Sequence, residues 1–320
     1  MSRYARQIAL PEVGEDGQSR LRTARVLVAG AGGLGVPVLQ YLVGAGVGKI
    51  TLIDGDLVGE SNLHRQPLYR MQDIARPKAE AAAEALAALN PDVVVQPLVD
   101  WLTPANAPAL AAQADVVLDC ADTFAVSFTL SDVAHASGTP FISASAQGLR
   151  GYVGGFCHSA PSLRAVFPDL PHAAPTCETA GVLGPVVAAI GAIQAQMALA
   201  VLLDLAPSPL GRMMVLGAAN WRTSDFRFEG APEPDRPAPF IAADQITPDD
   251  MVIDLRSERP APFRAGALHL ATDALPDLAL PDLGTRIVLA CQTGLRAHNA
   301  GTTLRHRWAG DIALLALPGT

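Results

Sequence analysis

The sequence predicts an α/β protein with a doubly wound, mostly parallel sheet, an antiparallel extension of that sheet, and a small α/β domain at the C-terminal end. Short apolar runs alternate with helical segments through the first half of the chain, which is typical of parallel strands joined by crossover helices. The pattern changes after residue 150, and a Pro-rich segment precedes a second, shorter alternation. A chain of 320 residues is also long enough to form two cores.

The elements of the first domain follow one another in a regular order. An apolar run at 26–29 ends at a glycine cluster, as a strand buried on both faces often does. Pro77 is suited to the first turn of a helix, which should stop at Asn90-Pro91. The predicted parallel strands are 26–29, 49–53, 93–95, 116–118 and 141–144, and the predicted helices include 36–45 and 77–89.

The second half of the chain predicts a different arrangement. Residues 151–157 and 212–216 are expected to form strands of the antiparallel extension. Residues 229–240 are rich in Pro and charge, the composition of a stiff, extended linker. Strands at 251–254 and 287–290 and a helix at 296–307 are expected beyond it. The predicted domains are 1–228 and 241–320, joined by the linker at 229–240.

Composition excludes several classes of protein. Half of the residues are hydrophobic and 17% are charged, which argues for a buried core and against disorder. A net charge of −8 disfavours nucleic acid as a partner. The four widely spaced cysteines do not suggest a disulfide framework, and the N-terminus has no apolar run of a signal peptide. These observations indicate a cytoplasmic protein.

One apolar stretch, residues 182–205, is long enough to span a bilayer. Glycine, proline and glutamine interrupt it, and no basic flank follows it. We therefore expect a core or subunit-interface helix and no membrane partner.

A glycine-rich turn joins the first predicted strand to the first predicted helix. It contains Gly30, Gly32, Gly33 and Gly35, which allow a tight turn and a close approach of backbone N–H groups to a phosphate. The helix N-terminus adds partial positive charge. Asp54 ends the next strand, where its carboxylate can bind ribose hydroxyls. Together these features predict an adenine nucleotide, for which NAD is the first candidate.

Charged residues downstream of the second strand favour ATP over NAD. The segments 61–66 and 75–78 bring Arg65 and Lys78 to the region after that strand. A triphosphate carries more charge than a dinucleotide's pyrophosphate and needs such cations. Asp122 follows the strand at 116–118, where a carboxylate could bind magnesium.

These residues occur in an order that resembles the MoeB/ThiF/HesA-type, ubiquitin-activating-like adenylyltransferases. The resemblance covers about residues 1–228. Its motifs are Arg3-Tyr-Ala-Arg-Gln-Ile8, the glycine turn at 30–35, Asp54-Gly-Asp56, Ser61-Asn-Leu-His-Arg-Gln66, Arg76-Pro-Lys78 and Leu118-Asp-Cys-Ala-Asp122.

The resemblance implies a homodimer with a Rossmann-like fold that binds ATP and magnesium. It implies that Arg6 reaches the phosphates of the other subunit, that Arg65 and Lys78 contact phosphates, that Asp54 binds the ribose, and that Asp122 binds magnesium. Asp56, Asn62 and Gln66 belong to the same nucleotide-binding motifs. The implied partner is a ubiquitin-like sulfur carrier protein of the MoaD or ThiS type, whose terminal Gly-Gly carboxylate becomes an acyl-adenylate.

Three local features bear on the detail of that function. The segment around Cys177 resembles the family's cysteine segment for sulfur transfer, although a small buried residue is the alternative. The two Cys-x-x-Cys pairs that hold zinc in the family have no counterpart at 161–166 or 228–236, so no structural zinc is expected. Thr123 and Ser127 stand where the family usually has asparagine and arginine.

Cys291 follows a predicted strand and opens a helix, in the segment Cys291-Gln-Thr-Gly-Leu-Arg296. Backbone N–H groups in such a loop favour a thiolate, which can carry sulfur as a persulfide. With 252–256 upstream, residues 241–320 resemble a rhodanese-like domain, and a cysteine-desulfurase-type sulfur donor would be a further partner. A degenerate, non-catalytic domain remains an alternative.

The resulting hypothesis is ATP-dependent adenylation of a sulfur carrier, followed by sulfur transfer from Cys291 to give a thiocarboxylate for molybdopterin or thiamin biosynthesis. An NAD-dependent oxidoreductase and a non-catalytic homologue that docks a ubiquitin-like protein are the alternatives.

Overall fold

The computed structural model describes residues 3–170, 181–256 and 263–317. Its larger sheet has eight strands in the order β3-β2-β1-β4-β5-β6-β7-β8, of which β1 to β5 are parallel and β5 to β8 antiparallel. These strands are β1 Arg25–Ala29, β2 Lys49–Ile53, β3 Val94–Leu98, β4 Val116–Asp119, β5 Phe141–Gln147, β6 Arg150–Phe156, β7 Arg212–Gly217 and β8 Arg222–Arg227. The predicted fold class, with its antiparallel extension, is therefore confirmed.

Helices cover both faces of this sheet, as a doubly wound fold requires. They are α1 Ala5–Ile8, α2 Gly14–Thr23, α3 Gly35–Ala45, α4 Lys78–Leu89, α5 Ala107–Ala111, α6 Phe124–Ser137, α7 Leu163–Val166 and α8 Gly184–Leu202. One core lies between the sheet and α3, α4 and α8, and a second lies between the opposite face and α6. The strand β1 contributes to both cores because its side chains alternate between the two faces.

The apolar stretch at 182–205 forms α8, a long helix of the first core. Among the described residues there is one helix, α8, whose length and composition would let it cross a membrane. It packs along α3 and across β5 and β6, and about half of it is buried. These contacts agree with the expectation that this stretch forms a helix of the core. The part of α8 that is not buried lies on the surface of the chain.

The C-terminal part contains a separate parallel sheet in the order β10-β9-β11-β12. Its strands are β9 Met251–Asp254, β10 Leu268–His269, β11 Ile287–Cys291 and β12 Ile312–Ala316, and its helix is α9 Leu295–Arg305. The second small α/β unit that the sequence predicted is therefore present.

The C-terminal unit packs directly against α6. The imidazole of His298 on α9 stacks on the ring of Phe128 on α6, with ring centroids 5.4 Å apart and planes 7° apart. The apolar residues of both units form one continuous cluster. Residues 229–240 lie against this cluster, since Phe240 is buried and Glu233 accepts hydrogen bonds from Ser162.

Candidate functional site

The glycine turn lies at the carboxyl end of β1, at the start of α3. Gly30 has a φ of +102°, and a Cβ there would lie 2.7 Å from the carbonyl oxygen of Cys120. A Cβ at Gly35 would collide with the carbonyl of Gly30. Only glycine fits these two positions. The backbone N–H groups of Gly32 and Gly33 have no hydrogen-bond acceptor among the described residues, so they are available to an anion at the helix N-terminus.

Asp54, just after β2, is joined to this turn. Its Oδ2 accepts the N–H of Ala31 at 2.7 Å, and its Oδ1 accepts the N–H of Asp56 at 2.8 Å. Burial raises the pKa of Asp54, although these N–H groups and Lys78 oppose the shift. Each oxygen retains a lone pair, so the fixed carboxylate can still accept hydrogen bonds from a ligand.

Lys78 brings a cation to the same edge of the sheet. It is the first residue of α4 and is buried, and its Nζ lies 2.5 Å from Oδ2 of Asp56. Tyr69 links the glycine turn to the start of α4. Its hydroxyl donates to the carbonyl of Ala31 at 2.8 Å and lies 3.4 Å from the carbonyl of Lys78. A buried ammonium beside a glycine turn suits the binding of a phosphate group.

The segment that contains Asn62, Arg65 and Gln66 borders the turn. Asn62 caps a short 3-10 turn by accepting the N–H of Gly59 at 3.1 Å, while Arg65 donates to the carbonyl of Ser61 at 2.8 Å. Gln66 is only 3% exposed, and its Oε1 has no partner in the part of the chain that the structure describes. Its Nε2 lies near Gly32. An unpaired buried amide next to the turn is a group that a ligand can satisfy.

Two carboxylates lie at the end of β4, the strand beside β1: Asp119 is its last residue, and Asp122 follows it. Asp122 is exposed beyond the end of the strand, and Asp119 is fully buried. Asp119 accepts hydrogen bonds from the hydroxyl of Ser143 and the N–H of Ala121, at 2.8 and 3.1 Å. Burial is the main reason that its pKa is raised to about 6. Asp122 can reach a ligand at this edge, whereas Asp119 holds the turn that carries it.

Not every predicted site residue lies at this edge. Gln7, beside Arg6 on α1, donates to the carbonyl of Ala45 at 3.0 Å, which fixes α1 to the far end of α3. Since α3 has 11 residues, its two ends are about 16 Å apart. Arg6 is therefore remote from the glycine turn of its own chain. Cys177 lies outside the described residues.

Cys291 is the last residue of β11, and the first unit covers the loop that follows it. Its Sγ accepts the N–H of Gly294 at 3.1 Å and the N–H of Ala297 at 3.4 Å. Two backbone N–H groups of the loop therefore point at the sulfur, as the sequence predicted. Cys291 is only 1% exposed, and a Cβ at Gly294 would lie 3.1 Å from the Cβ of Ala125 on α6. The loop therefore faces the first turn of α6, which follows Asp122 in the chain.

Sequence reasoning missed several residues that shape this site. Tyr69 and Asp119 act on backbone groups, and Gln194 on α8 donates to the carbonyls of Asp119 and Ile142. Trp101, after β3, lies against Gly55. A polar residue within an apolar helix was the available signal for Gln194, but no signal identified its partners.

Clusters of three or more His, Cys, Asp or Glu side chains that could hold a metal ion are absent from the described ranges. Magnesium at this edge would therefore need ligands from a bound nucleotide or water in addition to Asp122.

A model of the ThiF family matches residues 4–238 of the chain. The chain belongs to the ThiF family. The predicted family is thus confirmed over residues 4–238. The SAMP-activating enzyme E1 of Haloferax volcanii is 38% identical to this ThiF-family chain over 234 residues, which cover 72% of the chain and 85% of the relative.

Two further relatives carry adenylyltransferase names. The sulfur carrier protein adenylyltransferase of Thermus thermophilus is 42% identical, over 68% of this chain and 83% of the relative. The adenylyltransferase and sulfurtransferase UBA4 of Yarrowia lipolytica is 45% identical, over 62% of this chain. This ThiF-family chain spans about half the length of UBA4, at 51%.

Solved structures agree on the fold of this ThiF-family chain. A crystal structure of Escherichia coli MccB with an MccA derivative has a TM-score of 0.66 and 19% sequence identity, over 72% of this chain and 74% of MccB. At that identity the likeness supports the fold alone.

Proposed function

We propose that this chain uses ATP to adenylate the C-terminal glycine carboxylate of a small ubiquitin-like sulfur carrier protein, and then transfers sulfur to it. The observation that carries the proposal is the arrangement at the carboxyl edge of the sheet, where the glycine turn, Asp54 and the buried Lys78 adjoin. The names of the relatives support the same reaction, because they include a sulfur carrier protein adenylyltransferase and an adenylyltransferase and sulfurtransferase.

In the proposed reaction, a carboxylate oxygen of the carrier attacks the α-phosphorus of ATP. The bond from that phosphorus to the α,β-bridging oxygen breaks, pyrophosphate leaves, and an acyl-adenylate remains. The N–H groups of the turn, Lys78 and Arg65 stabilise the phosphate charge, and Asp54 binds the ribose. A phosphate oxygen would replace Asp56 as the partner of Lys78. Asp122 would hold magnesium, which neutralises charge on the phosphates when it is bound.

Arg6 completes this site only in a homodimer. Because α1 is fixed to the far end of α3, Arg6 lies too far from the glycine turn of its own chain to contact phosphates there. We propose that it contacts the phosphates bound by the second subunit.

The sulfur step uses the second unit of the chain. A sulfur donor of the cysteine desulfurase type loads Cys291 as a persulfide. The terminal sulfur attacks the acyl carbonyl, AMP leaves, and an acyl disulfide forms between the carrier and Cys291. A thiol then attacks the sulfur of Cys291, which releases the thiocarboxylate and leaves a disulfide that a further thiol reduces. We propose Cys177 as the attacking thiol, and the product would serve molybdopterin or thiamin biosynthesis.

The direct test is ATP–pyrophosphate exchange in the presence of ubiquitin-like carriers that end in Gly-Gly. We expect the wild type to exchange only when carrier is added, and Lys78→Ala and Asp122→Ala to lose at least about 100-fold, as is usual when a charged group at a phosphoryl transition state is removed. Lys49→Ala is the matched control, because Lys49 starts β2 at the end opposite Asp54. Cys291→Ala should keep exchange and lose thiocarboxylate formation.

Other outcomes select the alternatives. Binding of ATP without exchange for every carrier would favour a non-catalytic docking protein. Binding of NAD, with no binding of ATP, would favour an oxidoreductase.

The homodimer is tested by mixing variants. Arg6→Ala and Asp122→Ala are each expected to be inactive, while mixed dimers should regain exchange at one of their two sites. Absence of recovery in folded, exchanging dimers would reject the contribution of Arg6 across the interface.

A further inference from the structure

The indole of Trp101 lies on Gly55, in the loop after β2. A Cβ built on Gly55 would lie 2.8 Å from both Cδ2 and Cε2 of Trp101, and 3.0 Å from Nε1. Three ring atoms at nearly equal distances place Gly55 over the face of the ring rather than at its edge. Gly55 separates Asp54 from Asp56 in the chain, so the indole lies next to the segment that carries these two carboxylates.

The backbone of Trp101 is held, although its side chain is exposed. Its N–H donates to Oδ1 of Asp100 at 2.8 Å, and its carbonyl accepts the side-chain amide of Asn106 at 2.9 Å. Asn106 in turn accepts the N–H of Thr103 at 2.8 Å. The residue is nevertheless 55% exposed. An aromatic side chain on a held backbone, with one face on a glycine and about half of its surface open to solvent, can stack against a flat ligand.

The strand order places the loop with Trp101 at the end of a row of three loops, which follow β1, β2 and β3 at the same edge of the sheet. The neighbouring strands β1, β2 and β3 end in the glycine turn, Asp54 and the loop with Trp101, respectively. Adjacent strands are about 4.8 Å apart. A nucleotide whose phosphates lie at the turn and whose ribose lies at Asp54 would therefore extend its base over Gly55 towards Trp101.

We propose that Trp101 is the platform on which the adenine of ATP stacks. This inference rests on the proposed function, since it takes the phosphates to lie at the glycine turn. Trp101 is a positioning residue in this account: it contacts the base and fixes the direction of the nucleotide, and it takes no part in the chemistry at the α-phosphorus. Its contribution falls on nucleotide affinity rather than on the rate of the adenylation step.

Calorimetric titration with magnesium and ATP, without carrier, tests the platform. We expect Trp101→Ala to bind ATP about tenfold more weakly, as loss of base stacking typically does, and Trp101→Phe to stay within about threefold of the wild type. Trp221→Ala is the matched control, because Trp221 is 93% exposed in the hairpin between β7 and β8. Tripolyphosphate, which has no base, should bind equally to all four proteins.

Fluorescence provides a second readout. ATP should quench the wild-type tryptophan emission with a saturable dependence, and that quench should be absent in Trp101→Phe, where Trp221 and Trp308 remain. In exchange assays Trp101→Ala should raise the KM for ATP and leave kcat within about twofold.

The outcomes separate this inference from the proposed function. Normal ATP affinity in Trp101→Ala, while the wild type binds ATP, would overturn the platform and leave the adenylation proposal standing. Equal weakening of ATP and tripolyphosphate in Trp101→Ala would also overturn the platform, because the change would then act on the phosphates. Failure of the wild type to bind ATP would reject the proposed function, and the platform with it.

Discussion

At the scale of single residues, the candidate site is held together by its own hydrogen bonds. Asp54 is tied to Ala31, and Lys78 is paired with Asp56. The sequence predicted these residues because a glycine turn and a charged group leave a recognisable pattern. The sequence could not predict the role of Tyr69. Its hydroxyl donates to a backbone carbonyl, and because every residue has such a carbonyl, the sequence does not show which one is the partner.

A substitution at Gly30 tests the backbone geometry of the glycine turn. Gly30→Ala should lower the free energy of unfolding by about 2–4 kcal/mol, because φ is positive and the new Cβ meets the backbone of Cys120. Urea unfolding measures the change. Gly44→Ala is the control, because Gly44 lies within α3 with no atom near its Cβ, and this variant should be more stable by up to about 1 kcal/mol. Equal stability of the two variants would contradict the turn geometry.

A substitution of Asp119 tests whether the pKa of this buried carboxylate is raised in the folded protein. Its pKa is about 6 in the folded protein, against an ordinary value of 3.8, mainly because it is buried. Between these pH values the folded state retains a proton that the unfolded state has lost, so the free energy of unfolding falls as pH rises. Asp119→Asn removes this titration. The stability of the variant relative to wild type should rise by up to about 1.4 kcal/mol per pH unit across that window. Parallel stability curves would contradict the assignment.

At the scale of elements, the sequence predicted the buried strands and the long helices best. The predicted bounds of β2 and β9 agree with the structure at both ends, and the apolar stretch at 182–205 became α8. The strand β8 was missed because all six of its residues are exposed and carry no apolar alternation. The helix α2 was missed because its two glycines and many polar residues weaken the helical pattern.

The contact between α7 and the linker also depends on an interaction that the sequence does not reveal. The carboxylate of Glu233 accepts the backbone N–H and the hydroxyl of Ser162, at 2.6 and 2.5 Å. These two residues lie in the segments, 161–166 and 228–236, that lack the cysteine pairs of the family. The residues are 71 positions apart, so only the fold brings them together.

Glu233 tests whether this contact holds the linker. Glu233→Ala should lower the free energy of unfolding by about 1–2 kcal/mol, because a buried N–H and hydroxyl lose a charged acceptor. Glu233→Gln should fall between the alanine variant and the wild type. Glu229→Ala is the control from the same segment, because its pair with Arg227 is exposed and should contribute little to the free energy of unfolding. Matching losses in Glu233→Ala and Glu229→Ala would show that Glu233 has no special role.

At the scale of the whole molecule, the two units share an interface that sequence could not predict. Gly294 lies against Ala125 and His298 against Phe128, so α9 and α6 run side by side in the same direction. The loop of Cys291 therefore lies at the end of α6 that follows Asp122. This placement brings the Cys291 loop to the edge where we propose that the nucleotide binds, and it also covers the thiol. The proposed loading of Cys291 with sulfur would require the C-terminal unit to move away from α6.

Alkylation of Cys291 measures how firmly the two units are docked. We expect iodoacetamide to modify wild-type Cys291 at least about tenfold more slowly than a free thiol, because the residue is 1% exposed. His298→Ala should speed the modification several-fold by removing the stack on Phe128. Thr303→Ala, on the exposed side of α9, should behave as the wild type. Fast alkylation in the wild type would contradict the docked arrangement.

We propose that the carboxyl edge of the larger sheet activates a protein carboxylate with ATP. The most direct measurement of this activation is the intact mass of a Gly-Gly-ending sulfur carrier, after incubation with the chain, ATP and magnesium. The account predicts that the carrier gains one adenylyl group, that Lys78→Ala prevents this, and that a carrier without its last glycine gains nothing. An unchanged mass for every carrier, with ATP bound to the chain, would contradict it.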